Sequence, residues 1–155
     1  MRKMKPAEVE NFIKEFGWAT LCMAGKDYSP YAIEYSYFLD NNDICGLVHS
    51  TGRASRVLTE NNRVCLKICD SDRHCENFTA VSCFGTASFE RLNDKKKIAW
   101  AWDAMERQLG ARGKYDAHKK KYLEGKKTLP LLRIKVLEMT GVTSRPRRVN
   151  EGSGE

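Results

Sequence analysis

The chain lacks the segments that direct proteins into or across membranes. No apolar run approaches the roughly 20 residues that a helix needs to cross a bilayer. The basic N-terminus, residues 1–6, is not followed by the apolar stretch of a secretory signal peptide. We therefore expect a cytoplasmic protein that makes no membrane contact.

Several catalytic motifs are also missing from the sequence. There is no Walker-type loop, Gly-x-Gly-x-x-Gly motif, Ser-His-Asp order or pair of catalytic carboxylates, which argues against kinases, Rossmann dehydrogenases and hydrolases. Any redox chemistry would then belong to a cofactor, with the protein supplying binding, orientation and electrostatics.

The six cysteines include no Cys-x-x-Cys pair, so zinc ribbons and dithiol redox motifs are not indicated. Without an export signal, free thiols are expected, and four of the six lie in apolar strand patterns. Cys69, His74 and Cys75 are close in sequence, but no fourth ligand is evident and we expect no metal site.

The net charge of +7 is unevenly distributed. Residues 94–135 hold 13 Lys or Arg against 5 Asp or Glu, including the runs 95–97 and 119–121. Such runs are typical of solvated helix faces, and they lack the interleaved aromatics of single-strand binders. Nucleic-acid binding remains an alternative function rather than the expected one.

Length and periodicity predict a single domain over residues 1–143, followed by a disordered tail over 144–155. Hydrophobic patterns predict six strands and four short helices. The strands are 18–24, 31–39, 44–49, 63–69, 78–91 and 131–139; the helices are 5–16, 55–61, one ending at 109 with Asn93 or Asp94 as its cap, and 115–123. Tight turns between the strands indicate a mainly β fold, a small antiparallel barrel with short helices.

A phosphate-binding segment is predicted between two strands, within residues 47–66. Hydroxyl groups and guanidinium groups gather there beside a helix start, whose free N–H groups favour anions; they belong to Ser50, Thr51, Ser55, Arg53 and Arg56. Gly52 permits a tight turn, and His49 is a side chain that can change charge near neutral pH. The same pattern also fits a corner at which Ser and Thr merely cap a helix.

This segment resembles the His-Ser-x-Gly-Arg-…-Leu-x-x-Asn-x-x-Val-Cys signature of FMN-binding split-barrel proteins. That superfamily includes pyridoxamine 5′-phosphate oxidase, and the resemblance is strongest to its nitroimidazole-resistance branch. Three further stretches match in the same order: residues 17–21 with 30–33, 81–87, and 132–141. The usual Lys after the phosphate-loop Arg is Ala54 here, and Arg56 is the candidate replacement.

The resemblance implies an antiparallel six-stranded split β-barrel that binds FMN in a cleft shared by the two subunits of a homodimer. The cofactor-binding residues would be Ser36, His49, Ser50, Thr51, Arg53, Ser55 and Arg56, with Ser36 near the ring and His49 also catalytic. The implied activity is an oxidoreductase acting on a small electron-poor substrate such as a nitroaromatic. The alternative is a flavin- or haem-binding module without turnover.

Overall fold

The computed structural model describes residues 1–49, 51–125 and 127–146. The strands are β1 Arg2–Lys3, β2 Trp18–Ala24, β3 Pro30–Ser36, β4 Phe38–Asp40, β5 Asp43–Leu47, β6 Arg63–Ser71, β7 Phe78–Leu92 and β8 Leu129–Thr143. The helices are α1 Pro6–Glu15, α2 Arg53–Glu60, α3 Lys95–Leu109 and α4 Asp116–Glu124. All strand pairs are antiparallel.

The hydrogen-bonded strands form a ring. Their order is β3-β2-β6-β7-β8-β5-β4, and the two ends of this path, β3 and β4, are separated in the chain only by Tyr37. Counting β3 and β4 as one interrupted strand gives a closed barrel of six. The predicted mainly β fold, an antiparallel six-stranded split barrel with short helices, is therefore confirmed.

Tyr37 explains why the strand predicted over 31–39 is divided. Its backbone N–H donates to the carbonyl of Gly17 at 2.8 Å, and its hydroxyl donates to the carbonyl of Ile13 at 2.8 Å. Both bonds lead to the α1–β2 junction instead of a neighbouring strand. The interruption lets the chain pair with β2 on one side of Tyr37 and with β5 on the other.

The two longest strands, β7 and β8, bend together at a bulge. The register changes between Phe84, which faces Glu138, and Gly85, which faces Val136, so that Leu137 is the extra residue of β8. Leu137 is 68% exposed for this reason. A glycine inside a long strand is typical of such a bulge, and a Cβ on Gly85 would collide with the carbonyl of Lys135.

Apolar side chains form one cluster inside the barrel and a second one outside it. The interior cluster is closed at one end by α1 through Val9, Phe12 and Ile13. The outer cluster packs α3 against the barrel wall and contains Trp102 and the buried Cys45. No helix in the described ranges combines the length and the apolar character of a membrane-spanning segment.

Hydrogen bonds and an ion pair continue beyond Thr143, the last residue of β8. Ser144 donates its backbone N–H to the carbonyl of Phe78 at 3.0 Å, and Arg145 forms an ion pair with Asp70 at 2.7 Å. Residues 147–155 of the predicted tail lie outside the described residues. The two-residue strand β1, which pairs with β8, had no signal in the sequence.

Candidate functional site

The predicted phosphate-binding segment lies on the surface where β5 gives way to α2. His49, Thr51, Arg53 and Arg56 are exposed, and Ser55 is half-buried. Ser50 lies outside the described residues. The helix begins at Arg53, two residues earlier than predicted, so that Arg53, Ser55 and Arg56 all belong to its first turns.

Gly52 precedes the helix as its N-cap residue and leaves the helix start open. Its φ of 119° belongs to the region that favours glycine. A Cβ built on Gly52 would meet nothing within 4 Å, and among the described residues no side chain caps the first turn. The first N–H groups of an α-helix have no intrahelical acceptor.

Arg53 is held by the β2–β3 hairpin. Its guanidinium carbon lies 4.6 Å from the centroid of the Tyr31 ring, a cation–π distance. Hydrogen bonds from Ser29 lower the pKa of the neighbouring Asp27 carboxyl, and the charge of Arg53 contributes in the same direction. Sequence reasoning did not assign Tyr31 to the site. Tyr31 lies near the start of β3, opposite α2, and this position allows its contact with Arg53.

The turn of the hairpin also docks on the other end of α2. The backbone N–H of Lys26 donates to Oε2 of Glu60 at 3.2 Å. The helix is therefore fixed to the hairpin near both of its ends. Ala54 and Val57 pack against the barrel cluster, so position 54 faces the core side of the helix while Arg56 is exposed.

Ser36 lies at the other end of β3, next to β5. A Cβ on Gly46 of β5 would lie 2.5 Å from the Ser36 carbonyl oxygen and 2.6 Å from the Tyr35 hydroxyl oxygen. Glycine at position 46 therefore lets β3 and β5 approach each other closely. Ser36, half-buried, stands beside the strand that leads to His49, and Gly46 is a residue that sequence reasoning missed.

Strand β3 connects the two parts of the candidate site. Tyr31, under Arg53, lies near its start, and Ser36 lies at its end. Five residues of strand span about 16 Å. Both regions therefore lie along one strand, but the side chains of Tyr31 and Ser36 point to its opposite faces, since the two residues are five positions apart.

A concave surface exists near α2 but does not include the predicted site residues. It has a volume of about 480 Å³ and is lined by residues 58–63 and 87–89, at the C-terminal end of the helix. The phosphate segment, in contrast, is open on the surface of the protomer. No group of three or more His, Cys, Asp or Glu side chains in the described ranges is arranged to hold a metal ion.

Residues 6–143 match the family model of pyridoxamine 5′-phosphate oxidase. The chain belongs to this family. The match spans α1 to the end of β8 and thus includes every element of the ring. No curated protein matches the chain at a significant level.

Solved structures share the family fold at low sequence identity. A 5-nitroimidazole antibiotic resistance protein from Bacteroides thetaiotaomicron superposes with a TM-score of 0.68 at 17% identity, covering 90% of this chain and 85% of that chain. An FAD-binding protein from Mesorhizobium loti gives 0.66 at 17%, covering 90% and 95%. The haem storage protein HutZ from Vibrio cholerae gives 0.64 at 13%, covering 89% and 94%.

Proposed function

We propose that the protein is an FMN-dependent oxidoreductase that reduces a small electron-poor compound such as a nitroaromatic. The observation that carries the proposal is the open start of α2 at Gly52, flanked by exposed Arg53 and Arg56. Free N–H groups, fixed positive charge and hydroxyl groups together suit a terminal phosphate monoester. Family membership supports a flavin as the molecule that carries it.

The residues present fit FMN. The phosphate would be held by side chains and by the N–H groups of the first turn of α2. The side chains are those of Ser50, Thr51, Arg53, Ser55 and Arg56. Ser36 would hydrogen-bond the edge of the ring system at the other end of β3. Flavin supplies hydride and single-electron transfer, while the protein binds it and orients the substrate against it.

His49 is proposed as the residue that acts on the substrate. It lies two residues past the end of β5 and is exposed, so it can reach a molecule bound against the strand end. An imidazole in this position can donate a hydrogen bond or a proton to an anionic group of the substrate.

We also propose a homodimer with the flavin at the subunit interface. Trp18 is 56% exposed and is the direct strand partner of Ser36. A large exposed aromatic beside a proposed ring contact is the composition expected where a second subunit covers the cofactor. The partners would then be a second copy of this chain and a small-molecule substrate.

The cofactor assignment is tested by purification without added flavin, followed by acid release and chromatography. We expect flavin absorbance and release of FMN. Arg53→Ala should weaken FMN binding by about 1.5–3 kcal/mol, the range for a lost charged hydrogen bond, and Arg56→Ala should add to this loss. Arg63→Ala, which removes an exposed arginine beyond the opposite end of α2, is the matched control and should leave affinity unchanged.

Two results would contradict the proposal. Unchanged FMN affinity in the Arg53→Ala, Arg56→Ala double variant would show that the phosphate lies elsewhere. A haem Soret band without flavin absorbance would instead favour the haem-binding alternative.

A further inference from the structure

Cys22 of β2 and Cys65 of β6 are directly opposite each other on adjacent antiparallel strands. Residues directly opposite in such a pair point to the same face of the sheet. Both cysteines are half-buried. Their neighbours along the two strands are buried in the barrel: Leu21, Met23, Val64 and Leu66. Since side chains alternate along a strand, both cysteines point away from the barrel interior. Two thiols therefore stand side by side on the outer surface.

The spacing of the pair suits a covalent bond. Opposite residues of an antiparallel pair have Cα atoms about 4.5–5.5 Å apart, and disulfides join Cα atoms about 4.4–6.8 Å apart. Burial raises the pKa of Cys65, and the nearby Cys22 raises it further, whereas Lys67 and a hydrogen bond with Ser82 lower it.

In the described strand pairs, none of the other four cysteines lies directly opposite a cysteine. Cys83 and Cys45 are buried in the two apolar clusters. Cys69 lies four residues along β6 from Cys65, about 13 Å away, and faces Ala80 on β7. Cys75 is exposed in the loop that follows β6.

We propose that Cys22 and Cys65 form a thiol–disulfide exchange site that reacts with small disulfides such as oxidised glutathione and closes to a reversible cross-strand disulfide. The two cysteines share the outer face of the sheet with Trp18 and Ser36 but are not among the residues assigned to the flavin, and the exchange reaction needs no flavin.

The reaction balances within this set of reactants. One cysteine thiolate attacks a sulfur of oxidised glutathione, forms a mixed disulfide and displaces one glutathione thiolate. The second cysteine thiolate then attacks the protein sulfur of the mixed disulfide and displaces the other glutathione. Two electrons pass from the cysteine pair to glutathione, and the two thiol protons end on the two glutathione thiols.

The test uses the full-length chain with excess oxidised glutathione, followed by acid quenching, alkylation and peptide mapping by mass spectrometry. We expect the monomeric mass to fall by two hydrogen atoms, and the peptides that contain Cys22 and Cys65 to become linked. Dithiothreitol should restore all six alkylatable thiols. Phenylarsine oxide, which bridges paired thiols, should protect these two cysteines from alkylation in the untreated protein.

Variants separate the pair from a single reactive thiol. In the Cys22→Ser and Cys65→Ser variants the reaction should stop at a glutathione adduct on the remaining cysteine. Phenylarsine oxide should no longer protect that cysteine from alkylation. Cys69→Ser, which removes another thiol from β6, should behave like the wild type. Persistent glutathione adducts on the wild-type pair, links to other cysteines, or chains joined through Cys22 or Cys65 would each overturn the proposal.

Discussion

At the scale of single residues, position and exposure decide what each side chain of the candidate site can do. The guanidinium of Arg53 makes a cation–π contact with the Tyr31 ring, whereas Arg56 is exposed and Ala54 packs against the barrel. A family lysine at position 54 would leave the helix from its core side. We propose that Arg56 supplies the second positive charge in place of that lysine.

His49 carries the prediction at this scale. If its imidazole donates to the substrate, His49→Ala should lower the rate at which a nitroaromatic reoxidises the reduced protein, by about 10²-fold. FMN should stay bound, and the pH dependence of the wild-type rate should be absent from the variant. His118→Ala, which removes an exposed histidine from α4, is the control. Equal rates and pH profiles for His49→Ala and the wild type would assign His49 a structural role.

At the scale of elements, hydrogen bonds to one buried carboxylate hold two consecutive helices in place. Glu106 of α3 is buried, and its carboxylate accepts the backbone N–H groups of Gly113 and Tyr115, each at 2.9 Å. These bonds hold the connection between α3 and α4. They also lower the pKa of Glu106, and the charge of Lys119 contributes to the shift.

The lowered pKa of Glu106 predicts a pH-dependent contribution to stability. A depressed carboxyl pKa stabilises the fold above the unfolded value and loses this effect as the pH falls through the folded one. Glu106→Gln should therefore lower the urea midpoint at pH 7, and the gap to the wild type should narrow below about pH 4.3. Glu124→Gln, which removes an exposed charge from α4, should change the midpoint little. A gap that is constant from pH 7 to pH 3 would contradict this role.

At the scale of the whole molecule, one arginine ties three strand segments together. Arg133 of β8 donates to Asp40 at 2.8 Å, to Asp43 at 3.2 Å and to Glu90 of β7 at 2.5 Å. The β4–β5 hairpin is thus linked to the long β7–β8 pair.

The proposed homodimer is the prediction at this scale. Sedimentation should give twice the mass of the chain, and Trp18→Ala should raise the dimer dissociation constant by about tenfold or more, as at an interface hot spot. FMN affinity should fall with it. Tyr28→Ala, which removes an aromatic 84% exposed in the β2–β3 turn, is the matched control. A monomer with full FMN occupancy would contradict the arrangement.

Local pattern determined most elements of this protein. Alternating apolar residues predicted β2 with its observed bounds, and Asp94 caps α3, one of the two caps that the sequence offered beside Asn93. These features depend on neighbours in the chain, so the sequence alone contains their cause.

Only the tertiary structure decided how these elements meet. The division of a strand at Tyr37 depends on carbonyls of residues 13 and 17, and the approach of Ser36 to β5 depends on Gly46. Arg53 contacts Tyr31 across a separation of 22 residues in the chain, and Cys22 pairs with Cys65 across a separation of 43 residues. No periodicity records such contacts, because they are selected by the register and closure of the whole barrel.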